Sequence, residues 1–299
     1  MLGAIIGDMA GSIYEFANIK STDFEFFSEM STYTDDTVMN IAVAEWLLKD
    51  EAHTLEGLEA AMVKYGEAYP DPMGGYGGGF VRWLFNPEML MDYKTGQIAG
   101  KRVPYNSWGN GSAMRVSAVG WMFRTLEETE EVAGISASIT HDHPEGIKGA
   151  QAAATAVYLA RVGKSKKQIK DYIESKFGYD LSRHTDEIRE TYCWESGCQG
   201  TVSPAIRAFL DSTDFESAVR IAVSLGGDSD TLACITGAVA EAYYKSIPEV
   251  IVKEAIARLP QDLLQVFNDF KEASFYDLDS KGSIKSLVGR FCRKLRKNS

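Results

Sequence analysis

The chain has 299 residues, of which 45% are apolar and 24% are charged. This composition is typical of a folded globular protein and excludes a disordered, collagen-like or disulfide-scaffold protein. Four cysteines are few for this length, which favours a reduced, cytoplasmic protein. The opening MLGAIIGDMAG has no basic segment, so we expect no signal peptide. The apolar runs are too short for a transmembrane helix.

The net charge of −11 is unevenly distributed along the chain. Residues 281–299 carry seven Lys or Arg and no acidic residue, whereas residues 1–280 carry 24 basic and 42 acidic residues. An acidic body repels nucleic acids and membrane surfaces, so we expect neither as a partner. We predict a monomer with one domain over residues 1–280, followed by a basic C-terminal helix or tail over residues 281–299.

Apolar residues recur at helical spacing along most of the chain, and alternating strand patterns are almost absent, so we predict an all-α fold. The irregular stretch 70–104 is rich in Gly, Pro and aromatic residues, and we expect it to supply ligand-facing loops. The predicted helices are Val38–Lys49, Leu55–Tyr69, Glu130–Ser138, Gly146–Val162, Lys166–Lys176, Asp214–Ser224, Thr231–Lys245 and Val250–Arg258.

The first candidate segment is LGAIIGDMAGSIYEF. Its glycines, Gly3, Gly7 and Gly11, are four residues apart, which gives one helix face a smooth strip that another helix can approach closely. Asp8 is either a site residue or a surface or capping residue. Glu15 lies between two aromatic residues, an apolar setting for a carboxylate.

Two further segments place acids at the start of an apolar helix. In TYTDDT, Thr34 is a predicted N-cap, and Asp35 and Asp36 follow in the first turn, where the helix dipole favours anions. In GGDSDT, Asp228 and Asp230 precede a small, apolar helix that we expect to be buried. Buried carboxylates must be paired, protonated or metal-bound, and no Lys or Arg lies within several residues.

Together, these two helix starts and Glu15 offer carboxylates and Thr hydroxyls, which are hard oxygen donors. Such donors select Mg²⁺, Mn²⁺ or Ca²⁺ over Zn²⁺ or Cu²⁺. Two divalent ions nearly balance the charge of five carboxylates, so we predict a two-metal site if these segments meet.

Two other segments have the character of substrate-binding loops. In NSWGNGSAMR, a glycine-rich turn precedes an apolar helix, and the free N–H groups at such a helix start favour the binding of an anion. Trp108 offers a flat apolar face on which a base or another ring can stack. In THDHPEG, His141 and Asp142 suggest either a metal-binding pair or phosphate binding by His141. The alternative interpretation is capping and turn chemistry, with Pro144 at a helix start.

The five segments GDMAGSIYEF, TYTDDT, GNGSAMR, THDHPEG and GGDSDT, in this order, resemble those of the ADP-ribosylglycohydrolases. That family includes the ADP-ribosylarginine hydrolases and the dinitrogenase-reductase-activating glycohydrolase. The resemblance spans nearly the whole chain and implies a single all-α domain with a dinuclear Mg²⁺ or Mn²⁺ centre. It implies a hydrolase that releases ADP-ribose by cleaving the bond at the anomeric carbon of the distal ribose.

The resemblance also assigns roles to particular residues. It implies metal ligands at Thr34, Asp35, Asp36, Asp228, Asp230 and Thr231. It implies that Glu15 is catalytic or metal-associated, and we expect either Glu15 or Asp36 to be the catalytic base that takes the proton of the attacking water. It implies that the ADP-ribose diphosphate and adenosine are held by Ser107, Trp108, Gly109, Asn110 and Gly111, and that His141 approaches a phosphate.

Several functional alternatives remain open from the sequence. We expect an ADP-ribosylated arginine on a protein as substrate, with serine-linked ADP-ribose or O-acetyl-ADP-ribose as the alternatives. A non-catalytic ADP-ribose-binding module would bind without turnover. An all-α metal phosphohydrolase centred on His141 and Asp142 would need further His ligands, which are scarce in this chain.

Overall fold

The computed structural model describes residues 1–276, and their regular secondary structure is almost entirely helical. The helices are α1 (Leu2–Gly11), α2 (Asp35–Lys49), α3 (Leu55–Ala68), α4 (Gly78–Phe85), α5 (Gly111–Met114), α6 (Ser117–Met122), α7 (Leu126–Ser138), α8 (Pro144–Arg161), α9 (Lys166–Phe177), α10 (Thr185–Thr191), α11 (Cys198–Asp211), α12 (Phe215–Ser224), α13 (Ser229–Tyr244), α14 (Glu249–Arg258) and α15 (Gln261–Ala273). Within the described residues, the strands are β1 (Met91–Asp92) and β2 (Gln97–Ile98), which pair antiparallel. The predicted all-α fold is confirmed.

Each of the eight predicted helical segments falls in an observed helix, with ends that differ by a few residues. The irregular stretch 70–104 is more ordered than expected, because it contains α4 and the β1–β2 hairpin. The predicted basic tail, residues 281–299, lies outside the described residues. Among residues 1–276, no helix is both long enough and apolar enough to cross a bilayer.

Helix α13 lies at the centre of the molecule, and its residues from Ser229 to Ala242 are buried. It packs against α1, α8, α11 and α12. The glycine strip predicted on α1 forms the closest of these contacts: a Cβ added at Gly7 would lie 2.0 Å from the carbonyl oxygen of Ala233, and one added at Gly3 would lie 2.2 Å from that of Gly237. The close approach of the two backbones therefore depends on glycine.

Candidate active site

The start of α2 is held by the buried carboxylate of Asp8. Thr34 caps the helix, because its hydroxyl accepts a hydrogen bond from the Asp36 N–H at 3.2 Å. The same hydroxyl donates to Asp8 Oδ1 at 2.7 Å, and the N–H groups of Thr34 and Thr37 each donate to Asp8 Oδ2 at 3.1 Å. Asp8 therefore fixes the first turn of α2, which supports its interpretation as a capping residue.

The start of α13 is set by a turn of two glycines, Gly226 and Gly227, with φ angles of +73° and +69°. This left-handed backbone is readily adopted only by glycine. The next residue, Asp228, is the N-cap, but its side chain makes no capping hydrogen bond. Its carboxylate is instead directed toward the neighbouring loop and Asp230.

These two helix starts meet in the folded chain. The Thr231 hydroxyl of α13 donates to Asp36 Oδ1 of α2 at 3.3 Å, across 195 positions of sequence. One carboxylate oxygen from each of Glu15, Asp228 and Asp230 lies within 4.8 Å of the other two. The convergence that the two-metal prediction requires is therefore present.

The acids of the cluster lie close together and largely away from solvent, so their pKa values are raised. Burial, followed by the charge of neighbouring carboxylates, raises the pKa values of Asp35, Asp36 and Asp230 well above the ordinary range. Burial and the nearby Asp228 raise the pKa of Glu15 to about 7. Within residues 1–276, no Lys or Arg forms an ion pair with any of these acids.

The donor set fits a hard divalent cation. Asp36 is 1% exposed, and its Oδ2 atom has no hydrogen-bond partner. A buried carboxylate oxygen without a partner is costly unless a cation or a proton compensates it. Carboxylate and hydroxyl oxygens are the ligands that Mg²⁺, Mn²⁺ and Ca²⁺ prefer.

Glu15 follows a short 3₁₀ turn, Ser12–Tyr14, at the end of α1. Its carboxylate packs against Gly74, where an added Cβ would lie 2.5 Å from Glu15 Oε2 and where φ is +78°. The glycine-rich segment 74–79 thus allows the Glu15 side chain to be covered from one side while it remains at the cavity wall.

The loop before α5 links the carboxylate cluster to the rest of the cavity. The Asn110 side chain donates to Asp228 Oδ2 at 2.7 Å and to the Thr201 hydroxyl at 3.2 Å. The Asn110 N–H donates to the Ser196 carbonyl at 2.8 Å, and the Cys198 N–H donates to the Trp108 carbonyl at 2.9 Å. Asn110 therefore orients a carboxylate of the cluster, and the segment before α11 pins the loop.

The THDHP segment combines a cavity residue with structural ones. His141 is 5% exposed and lines the cavity, with its Nε2 atom facing Gly109 and Gly111. His143 caps α8 by accepting from the Glu145 N–H at 3.1 Å, and Pro144 occupies the first position of that helix. Asp142 accepts hydrogen bonds from the Tyr93 hydroxyl and the Asn106 N–H. The described residues form no cluster of metal ligands here, and capping and turn chemistry accounts for His143 and Asp142.

The site is a cavity of about 390 Å³, within the range of about 300–1,000 Å³ typical of small-molecule sites. Two of the predicted residues are not part of its wall: Thr34 is buried behind it, and Trp108 is 55% exposed with its ring 5.7 Å from that of His143. The predicted residues that line the cavity are Glu15, Asp35, Asp36, Ser107, Gly109, Asn110, Gly111, His141, Asp228, Asp230 and Thr231.

Sequence reasoning missed several residues of the cavity wall. Arg115, Phe16, Trp194 and Tyr105 all line it. Phe16 and Arg115 are the last residues of the segments GDMAGSIYEF and GNGSAMR, so the sequence marked their positions, but nothing in the pattern indicated which way their side chains point. Trp194 lies in a segment without a motif and reaches the cavity only through the fold.

The fold is all-α, and two acid-bearing helix starts meet at a cavity beside a glycine-containing loop, which are the features expected of an ADP-ribosylglycohydrolase. The family model described as ADP-ribosylglycohydrolase matches residues 1–275. The chain belongs to this family and is a glycohydrolase that acts on ADP-ribose-containing substrates.

Individual relatives agree with this assignment. Human ADP-ribosylhydrolase ARH3 is 30% identical over an alignment of 318 residues that covers 83% of this chain and 86% of the human protein. A putative ADP-ribosyl glycohydrolase, L543, of Acanthamoeba polyphaga mimivirus is 26% identical and covers 86% of this chain and 89% of its own length. A solved structure titled ADP-ribosylglycohydrolase-related protein complex superposes with a TM-score of 0.63 at 24% identity, covering 91% of this chain and 96% of that chain, and shares the fold.

Proposed function

We propose that this protein releases ADP-ribose from an ADP-ribosylated arginine side chain by hydrolysing the N-glycosidic bond at the anomeric carbon of the distal ribose. The observation that carries the proposal is the contact between the Thr231 hydroxyl and Asp36 Oδ1. It joins two acid-bearing helix starts inside a cavity that also contains Glu15 and His141.

Two divalent cations, Mg²⁺ or Mn²⁺, would be held by Asp35, Asp36, Asp228, Asp230 and Thr231, with Glu15 beside them. Thr34, the remaining residue of the expected ligand set, lies behind the cavity wall and would support the neighbouring acids through its cap of α2. When bound, the cations would supply charge neutralisation and polarise water and ribose hydroxyls. Asn110 holds Asp228 in place through its 2.7 Å hydrogen bond, so the loop and the acid cluster are oriented together.

Glu15 is our candidate for the general base. In the cation-free cluster, burial and the charge of Asp228 raise its pKa to about 7. Its carboxylate lies at the cavity wall beside Asp228 and Asp230, where a general base would act. Glu15 would take one proton from the attacking water, whose oxygen forms the new bond to the anomeric carbon. The C–N bond would break through an oxocarbenium-like transition state, and the leaving guanidine nitrogen would receive the proton that Glu15 took from the water, which returns Glu15 to its carboxylate form. Asp36 is the alternative base.

The arginine acceptor is favoured by the mouth of the cavity. Phe16 and Trp194 stack there with ring centroids 5.5 Å apart and an interplanar angle of 16°, and both rings are largely exposed. The guanidinium of a modified arginine is a planar cation, and such a cation stacks on aromatic faces. A serine or acetyl group would not gain this interaction.

The proposal is tested by a release assay. Proteins or peptides modified on arginine or serine, and O-acetyl-ADP-ribose, are offered separately with Mg²⁺ or Mn²⁺ and with a chelator. We expect the unaltered protein to release free ADP-ribose from the arginine-linked substrate and to release none in the chelator. Asp36→Asn and Asp230→Asn should each lower the rate of release by roughly a hundredfold or more, the size of the effect of losing a general base or a metal ligand. Asp171→Asn, an exposed acid of α9, is the matched control. Binding without turnover of any substrate would refute the proposal.

A further inference from the structure

Arg115 is a buried cation at the wall of the cavity. It is 1% exposed, and its Nη2 atom donates to the Ser136 carbonyl at 2.7 Å and to the Thr140 hydroxyl at 3.0 Å. Its Nε atom has no hydrogen-bond partner. Across residues 1–276, no carboxylate forms an ion pair with Arg115. Burying an arginine without a counter-charge is costly, so its presence here calls for a role.

The Thr140 hydroxyl connects Arg115 to His141. The Thr140 oxygen lies 2.7 Å from His141 Nδ1 and accepts a hydrogen bond from Arg115. A hydroxyl has one hydrogen to donate, and His141 Nδ1 is the acceptor within reach of this buried group. With the hydrogen of Thr140 directed at Nδ1, the ring carries its own hydrogen on Nε2.

The other side of the ring faces the glycine loop. His141 Nε2 would lie 3.3 Å from a Cβ added at either Gly109 or Gly111. Burial, together with the charge of Arg115, lowers the pKa of His141 well below its usual range, so the ring is neutral. Its single N–H therefore points into the space between the two glycines.

We propose that Arg115 and Thr140 are positioning residues that hold His141 in the neutral Nε2–H tautomer, so that the ring donates one hydrogen bond to the diphosphate of the substrate. This inference rests on the proposed function for the identity of the ligand.

The tautomer is measured first, in the unaltered protein. Long-range ¹H–¹⁵N spectra of the histidine rings, with His141 assigned by the signal lost in His141→Gln, report which ring nitrogen carries the hydrogen. We expect hydrogen on Nε2 and none on Nδ1 from pH 6 to pH 8. Hydrogen on Nδ1, or a protonated ring near pH 7, would overturn the proposal without any other variant.

Binding is then compared for Thr140→Val, which removes the hydroxyl at nearly constant volume, and Thr140→Ser, which keeps it. We expect roughly tenfold weaker binding of ADP-ribose and of ADP to the Val variant, the size of one lost hydrogen bond to a charged group, and unchanged binding of adenosine. The Ser variant should match the unaltered protein. In turnover, the Val variant should raise KM and leave kcat unchanged.

The two proposals fail in different ways. If no modified acceptor is hydrolysed but ADP binding and the tautomer behave as described, the proposed function is wrong and the roles of Arg115 and Thr140 stand. If turnover is observed but Thr140→Val and Thr140→Ser bind ADP equally well, the positioning role is wrong and the proposed function stands.

Discussion

At the scale of one residue, Asp36 shows that a side chain suited to the site lowers the stability of the fold. It is buried, one of its oxygens has no partner, and burial followed by the charges of Asp8 and Asp35 raises its pKa well above the ordinary range. A carboxyl with a raised pKa in the folded state stabilises the fold at low pH and loses this contribution as the pH rises through that pKa. Ionisation of Asp36 in the absence of cations therefore destabilises the protein.

We predict that Asp36→Asn is more stable than the unaltered protein at pH 8 in a chelator, with a midpoint of thermal unfolding about 2–4 °C higher for each kcal/mol gained. The difference should shrink as the pH falls toward 5, because Asp36 becomes protonated. Burial lowers the pKa of His141, so this residue lowers the stability of the folded state as the pH falls. The effect is the same in both proteins and cancels from the difference between them. With Mg²⁺ or Mn²⁺ in excess, the order should reverse, because the unaltered protein gains binding energy. Scanning calorimetry in the two buffers makes the measurement, and an Asn variant that melts lower in the chelator would contradict it.

The residue types at the acidic end of the site were predictable from the sequence, and their partners were not. Acids and hydroxyls at two helix starts indicated hard-metal ligands because that chemistry is local to each motif. The family resemblance assigned Asn110 to substrate binding, but its side chain donates a hydrogen bond to Asp228, which is 118 positions away in the sequence. Arg115 was read only as part of a motif, because its burial without a carboxylate partner is a property of packing that no local pattern records.

At the scale of the helix, α1 and α13 show why the site has its shape. The Gly7 position faces the Ala233 backbone, and a Cβ added at Gly11 would lie 2.5 Å from the Cα of Asp230. The glycine strip of α1 therefore sets the position of the α13 start as well as the packing of the core. This contact was predictable, since three glycines at a spacing of four define one helix face.

We predict that Gly7→Ala lowers the free energy of unfolding by about 1–3 kcal/mol, the usual cost of overpacking a rigid interface. The obstacle is the Ala233 carbonyl, part of a buried helix backbone that cannot rotate away. The control is Gly134→Ala in α7, where the nearest atom to the new Cβ is the flexible Gln151 Nε2 at 3.3 Å. That variant should be neutral or gain up to about 1 kcal/mol from helix propensity. Urea denaturation of both variants makes the comparison, and equal effects would argue against a glycine-dependent interface.

Other helices escaped prediction for physical reasons. Helix α11 contains Pro204, which interrupts a helical pattern because it lacks an N–H for the carbonyl four residues earlier. That carbonyl, of Gly200, instead accepts a hydrogen bond from the Tyr192 hydroxyl at 3.0 Å. Helix α4 begins with Gly78 and Gly79, residues that are typical of loops. In both cases, tertiary contacts outweigh local propensity.

At the scale of the whole molecule, the cavity wall combines acids from distant segments with one buried cation. The acids come from α2, α13 and the turn after α1, whereas Arg115 directly follows α5. Asn110, in the loop before α5, bonds to Asp228, so the loop and the acids are held together. Under the proposed function, the diphosphate of the substrate lies at this loop and the distal ribose lies at the acids, with the acceptor beyond it.

The acceptor end of this arrangement gives the last prediction. Phe16 follows the catalytic candidate Glu15, and Trp194 comes from the distant segment before α11, so their stacked rings form a platform at the mouth that only the complete fold assembles. We predict that Phe16→Ala and Trp194→Ala each lower kcat/KM for arginine-linked ADP-ribose by roughly 2- to 30-fold, the range of a cation–π contact. Turnover of O-acetyl-ADP-ribose should change less than twofold, because its acceptor carries no cation. Phe85→Ala, which removes an exposed ring of α4 outside the cavity wall, is the matched control and should leave both substrates unaffected. Equal losses on both substrates would mean that the two rings support the cavity rather than select the acceptor.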